Sequence, residues 1–147
     1  MKNNFLYYLI LFLIFNLNLT AQELEINSEK IQFDNINKIT VLEGNVSIND
    51  EKGNKLFSEY ANYNELEEII ETKGDTKIIT SGGYEVFGNN MIFDNKKGLI
   101  YSNNKTKIID RDGNNISVEM FNYSILTNIF FSKGNIKIKD INKNDYN

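Results

Sequence analysis

Apolar and polar residues alternate in short runs along most of this chain, and the runs recur. Ser28-Glu29-Lys30-Ile31-Gln32-Phe33 places Ile31 and Phe33 two residues apart with polar neighbours between them. A two-residue period is the mark of a strand buried on one face. One step on, the same places hold Ala61 and Tyr63, then Met91 and Phe93, then Phe121 and Tyr123. A second, longer run in each unit carries Val46 and Ile48, Thr76 and Ile78, Thr106 and Ile108, and Ile136 and Ile138. The step is 30 residues, so that Ile stands at 48, 78, 108 and 138, and an aromatic at 33, 63, 93 and 123. Four units follow, at 28–57, 58–87, 88–117 and 118–147. A fixed period of this size identifies a repeat architecture.

Each unit predicts a strand, a polar turn and a longer strand. The longer strand passes through a column of Gly44, Gly74, Asn104 and Gly134. Glycine within a strand marks a bend, and Asn tolerates positive φ better than other non-glycine residues. The column is therefore expected to be a corner where a long strand crosses from one sheet to another. Segments such as 50–54 and 110–114, with Gly53 and Gly113, read as hairpin turns. Residues 64–71 have helical composition, but their partners at 94–101 and 124–131 do not, so a turn followed by a strand is expected there.

Short strands with aligned apolar columns cannot each bury a face alone, but stacked they share one core. The expected fold is all-β, a stack of β repeats with roughly eight or nine strands in two facing sheets. The inward columns outline a lengthwise apolar trough. Its candidate lining comprises Ile31, Phe33, Val46, Ile48 and Phe57, then Tyr63, Ile78, Phe87, Met91 and Phe93, then Ile108, Phe121, Tyr123, Ile136 and Ile138. The first and last strands carry no Pro or helical cover. Natural edges are usually blunted, so both read as open edges prepared for pairing with a partner.

The N-terminus follows a different pattern. Lys2 precedes an apolar run from Phe5 to Phe15 that continues to Leu19, with Ala21 after it. A basic start, an apolar stretch and a small residue read as an export signal over residues 1–21, leaving 22–147 as one domain. Uncleaved, the run of roughly 15 apolar residues would act as an anchor shorter than the ~20 of a comfortable membrane span.

Composition narrows the chemistry. Sixteen Lys and Arg stand against 20 Asp and Glu, a net charge of −4, which argues against nucleic acid as a partner because phosphate binding needs a basic stripe. With no His and no Cys, the usual general base and the common metal ligands are missing, and no cofactor is implied. Asp110, Asp112 and Asn114 alternate as calcium ligands can, but Gly113 stands fourth in the segment, where an EF-hand loop needs its Gly sixth. The segment is expected to be an ordinary hairpin turn. Glu65, Glu67, Glu68 and Glu71 read as a solvated face. Asn-Val-Ser at 45–47 and Asn-Tyr-Ser at 122–124 match the glycosylation acceptor, as chance expects in an Asn-rich chain.

The run Gly44-Asn45-Val46-Ser47-Ile48, followed by Gly53-Asn54-Lys55-Leu56-Phe57-Ser58-Glu59-Tyr60-Ala61-Asn62-Tyr63-Asn64, resembles the organic-solvent-tolerance (OstA-like) domain. That domain occurs in LptA and at the N-terminus of LptD, both of lipopolysaccharide transport. The likeness extends over residues 25–138. It implies a twisted β-jellyroll, no enzyme activity, and lipid A acyl chains bound between the sheets. It also implies a periplasmic bridge to the outer membrane, built by edge-strand pairing with LptC-like and LptD-like partners or with further copies head to tail. If the N-terminal run is retained, the membrane-anchored LptC-like branch fits better. Two other readings remain from the residues alone: a filled structural or adhesive β-solenoid, and, last, a carboxylate-based carbohydrate enzyme.

Overall fold

The computed structural model describes residues 24–142 and 144–146, which form twelve strands and no helix. The export segment expected over 1–21 lies outside the described residues. The strands are β1 (Leu24–Asn27), β2 (Lys30–Asp34), β3 (Ile39–Asp50), β4 (Lys55–Asn64), β5 (Ile69–Ile79) and β6 (Glu85–Asn89). They continue as β7 (Ile92–Asp94), β8 (Leu99–Ser102), β9 (Thr106–Ile109), β10 (Asn115–Ser124), β11 (Ile129–Lys139) and β12 (Asp145–Tyr146). All pairings are antiparallel, and the main path runs β1-β3-β4-β5-β6-β9-β10-β11-β12. The strand number exceeds the expected one because some long strands are interrupted: β1 and β2 are two halves of one, as are β6 and β7, and β8 and β9.

The corner is real and is made by slips in pairing. Register shifts fall between Glu43 and Val46 against Ser58 and Tyr60, and again between Val118 and Met120. Gly44 and Gly74 adopt φ of 76° there, and Gly134 adopts 99°. An extra residue on one strand bends it and sharpens its twist, so each long strand contributes one half to each of two facing sheets. Asn104 departs from the expectation, because it is not among the residues at positive φ. In the third unit Asn90, on the facing strand, takes φ of 53° instead. Asn104 is held by its N–H donating to Ser102 Oγ at 3.1 Å and its amide donating to Asn89 O at 3.1 Å. Beside this break, β5, β6, β9, β10, β8 and β7 pair around a closed ring.

Two stacks of turns close the free ends of the sheets. In the first, Asp34 Oδ1 accepts from the N–H groups of Ile36 and Asn37 at 3.0 Å, Asn64 Oδ1 from those of Leu66 and Glu67 at 3.1 Å, and Asp94 Oδ1 from that of Lys97 at 2.9 Å. A carboxylate or amide that binds the backbone two or three residues on stabilises a turn over a helix. The glutamate-rich segment at 64–71 is accordingly a turn that resumes as β5 at Ile69. In the second stack, Asp50, Asp110 and Asp140 each accept from the N–H four residues on, at Asn54, Asn114 and Asn144, at 2.8 to 2.9 Å. Asp110, weighed above as a calcium ligand, has Oδ1 engaged by the Asp112 and Asn114 N–H groups and Oδ2 by the Asn114 amide.

Candidate functional site

The space between the sheets is the candidate site, and strand register decides which residues face it. Residues directly opposite one another in a ladder point to the same side. One inward row crosses the first sheet as Phe33, Thr40, Tyr63, Ile70, Phe93, Ile100, Tyr123 and Phe130. A second crosses the other sheet as Ile26, Ile48, Leu56, Ile78, Val86, Ile108, Ile116 and Ile138. Two such rows can bury their side chains only against each other, which they do in a single cluster.

Of the residues expected to line the trough, Val46, Ile48, Ile78, Met91, Phe93, Ile108, Phe121 and Tyr123 are buried in that cluster. Tyr63 is half-buried against it. Burial, and then the nearby Glu68 and Glu65 carboxylates, raise the Tyr63 phenol above its ordinary range. Ile31 and Phe33 share the inner face with Leu42 and Thr40 but lie exposed at one end of the stack. Ile136 and Ile138 do the same at the other end, opposite Val118 and Ile116.

Phe57 and Phe87 do not face the interior. Phe57 pairs with Ser47 and Lys77, and Phe87 with Lys77 and Lys107, in a row on the outside of the sheet. Leu56 and Val86, one residue earlier, take the inward places. The Phe87 ring is covered by two lysines, whose Nζ atoms lie 5.2 Å (Lys77) and 6.0 Å (Lys107) from its centroid, whereas Phe57 is exposed. An open groove of about 770 Å³ runs along this outer surface beside Phe57, Lys77, Phe87 and Asn89. Leu42, Leu56, Ile70, Val86, Ile100 and Val118 are core residues that the trough list lacked. A signal existed for Leu56 and Val86, because Ile26, Leu56, Val86 and Ile116 also recur at the 30-residue step.

The interior is packed. Beside Leu24, Ile48, Leu56, Ile70 and Phe93 the remaining void is about 10 Å³, too small for a water molecule to be assured of a place. Phe121 stacks on Phe130 at 5.7 Å and Tyr84 tilts against Tyr123 at 5.8 Å. Near the corner the apolar cluster gives way to hydroxyls: Thr76 Oγ1 donates to Thr72 Oγ1 at 2.7 Å, and Thr72 Oγ1 accepts from the Met91 N–H at 3.0 Å. Among the described residues no backbone hydrogen bond joins the two turn stacks, so on that side the sheets meet through side chains alone.

Long strands bent over a shared apolar interior, with turns stacked at both margins, define an LptA-like β-jellyroll. No family model matches the chain, and no curated protein matches it in sequence. Among solved structures, it is similar to the crystal structure of LptH, the LptA-homologous periplasmic component of the conserved lipopolysaccharide transport device from Pseudomonas aeruginosa. The TM-score is 0.70 at 13% identity, over 80% of this chain and 94% of that one. At that identity the likeness is one of fold.

Proposed function

We propose that this protein is a periplasmic carrier that binds lipopolysaccharide and shields its lipid A acyl chains as one segment of a bridge between the two membranes. The observation that carries the reading is an apolar interior running the length of the stack and, among the described residues, exposed at both ends. Phe33 is 67% exposed at one end and Ile136 39% at the other, although both belong to inward-facing rows. An acyl chain in water costs about 0.8 kcal/mol per methylene, so a path that never leaves apolar surroundings is what transfer requires. The sheets share strands at the corner and only side chains at the turn side, so spreading the turn side admits a chain while the backbone pairing stays intact. The open edges of β2 and β11 suit strand addition by LptC-like or LptD-like partners, or by further copies. Export directed by residues 1–21 belongs to the same reading, and the shared fold with a transport component, rather than with an enzyme, supports it.

The filled interior favours a second reading, a structural β-solenoid without cargo. A photo-crosslinking amino acid at Phe93 or Ile108, in cells that make lipopolysaccharide, separates the two. Lipid captured from those sites and not from outward Lys107 is the expected result. Equal capture from both faces, or none from inside, would leave the structural solenoid.

A further inference from the structure

One outward row crosses the second sheet without a carboxylate. It runs Phe57 (β4), Lys77 (β5), Phe87 (β6), Lys107 (β9), Ser117 (β10) and Lys137 (β11), each directly opposite the next in its ladder. The row is written into the repeat, because Lys recurs at 77, 107 and 137 and Phe at 57 and 87. Neighbouring strands lie about 4.8 Å apart, so like residues return every two strands, at roughly 10 Å. The chain as a whole carries a net charge of −4, which makes a carboxylate-free row of lysines a local reversal of sign.

The row is open to a ligand. Phe57, Lys107 and Lys137 are exposed, and Phe87 is half-buried. Among the described residues Lys107 and Lys137 form no ion pair, whereas Lys77 is held by Glu85 at 3.0 Å. Grooves accompany the row at both ends, the one of about 770 Å³ beside Phe57 and Phe87 and a second of about 630 Å³ beside Ser117 and Lys137. Toward the corner the first groove is also lined by Glu59, Asp75 and Asn89, which accept hydrogen bonds from hydroxyl and amide groups. Carboxylates so close to the lysines oppose a partner of dense negative charge, such as a phosphate-rich membrane or a nucleic acid.

We propose that this face binds a linear β-1,4-linked glycan that carries one carboxylate on every second sugar. The flat C–H face of a pyranose packs on an aromatic ring as other apolar surface does. In such a glycan each sugar advances by about one strand spacing and successive sugars turn over, so a group on every second sugar returns to the same side. Laid across the strands, the first sugar covers Phe57, the second brings its carboxylate to Lys77, and the third covers Phe87. The carboxylates of the fourth and sixth sugars meet Lys107 and Lys137. The source that matches is a peptide-free strand of cell-wall glycan, where N-acetylglucosamine alternates with N-acetylmuramic acid and the lactyl group of the latter ends in a carboxylate. The binding chemistry is independent of the lipid cargo, and only the choice of source rests on the export proposed above. A carrier held to the wall by its outer face keeps its apolar interior free.

Calorimetric titration of the hexasaccharide of alternating N-acetylglucosamine and N-acetylmuramic acid into the purified protein tests the site. Binding should weaken about two- to fivefold for Lys107→Gln and by a similar factor for Lys137→Gln, since an exposed ion pair contributes little by itself. It should weaken about three- to tenfold for Phe57→Ala. Glu85→Gln releases Lys77 and should tighten binding about twofold. Melting curves check that each variant is folded. The uncharged hexasaccharide of N-acetylglucosamine should bind more weakly, with the dependence on Phe57 and without that on the lysines. Equal binding of the two glycans would overturn the carboxylate, unchanged affinity in all the variants would overturn this face, and no binding of the charged glycan would overturn the site. Binding instead to vesicles of phosphatidylglycerol and phosphatidylethanolamine in equal parts, lost with the same lysines, would overturn the glycan in favour of a membrane surface. Lipid capture at Ile108 is read separately, because glycan binding without lipid fails only the carrier, and lipid without glycan binding fails only this site.

Discussion

Thr72 holds the backbone of Met91 from both sides. The Thr72 N–H donates to Met91 O at 3.0 Å, and the Met91 N–H donates to Thr72 Oγ1 at 3.0 Å. Met91 sits in the gap between β6 and β7, where the strand is interrupted and ladder bonds are lost. A buried hydroxyl replaces part of the missing ladder. Thr72→Val keeps the shape and leaves a buried N–H without its acceptor, so unfolding free energy should fall by about 1–3 kcal/mol. Urea midpoints at constant m-value measure this, and an unchanged midpoint would show that water satisfies Met91 as well as Thr72 does.

Gly74 isolates the cost of the corner. A Cβ built there meets nothing within 4 Å, whereas at Gly44 it would run into the Glu29 side chain. Gly74→Ala should therefore lose only the backbone term, about 1–2 kcal/mol for a non-glycine residue at positive φ. Gly44→Ala should lose more unless Glu29 gives way, and Gly44→Ala in a Glu29→Ala background should return to the Gly74→Ala value.

The two faces of the second sheet should respond differently to truncation. Ile108 is 2% exposed in the core, and Ile108→Ala should cost about 2–5 kcal/mol. Phe57 faces outward and is 37% exposed, so Phe57→Ala should cost about 1 kcal/mol or less despite the larger ring removed. Thermal unfolding of both variants checks the face assignment, and equal losses would contradict it.

Acid should unravel the turn stacks first. The backbone N–H and amide of Asn37 hold the Asp34 carboxyl below its ordinary range. Burial opposes ionisation of Asp94, but the Lys97 ammonium and N–H outweigh it and keep that carboxyl low. Asp110 is likewise lowered against its burial by the Asn114 amide and N–H, and Asp140 by the same groups of Asn144. A carboxyl lowered in the folded state contributes stability that is complete above the unfolded value near pH 4 and disappears as pH falls through the folded value. Stability should be level from about pH 5 upward and decline below about pH 4. Asp94→Asn should flatten part of that decline in a urea titration across pH.

The repeat, the all-β class, the turns and the corner were legible because a 30-residue step stacks like on like. A residue type demanded by backbone geometry, such as Gly44 or Gly74, must then return at the same place. Asp34, Asn64 and Asp94 show the same logic, since each caps its own turn from nearby in sequence. Even the glutamate-rich segment at 64–71 was readable, as the stack outweighs its helical preference.

Facing was harder to read. Strand side chains alternate, so a one-residue error in phase sends a ring to the wrong side, and every bulge resets the phase. The inward columns were expected to include Phe57 and Phe87, but Leu56 and Val86 take those places because they stand opposite Ile78 and Ile108 in the ladder. The broken third unit, with Asn90 rather than Asn104 at positive φ, arises from pairing between strands of different units. The sequence by itself thus determined a stack of bent strands with an apolar side, because local backbone demands repeat with the period. Only the tertiary structure decided which side each aromatic takes and how fully the interior closes, because these depend on register between strands distant in sequence.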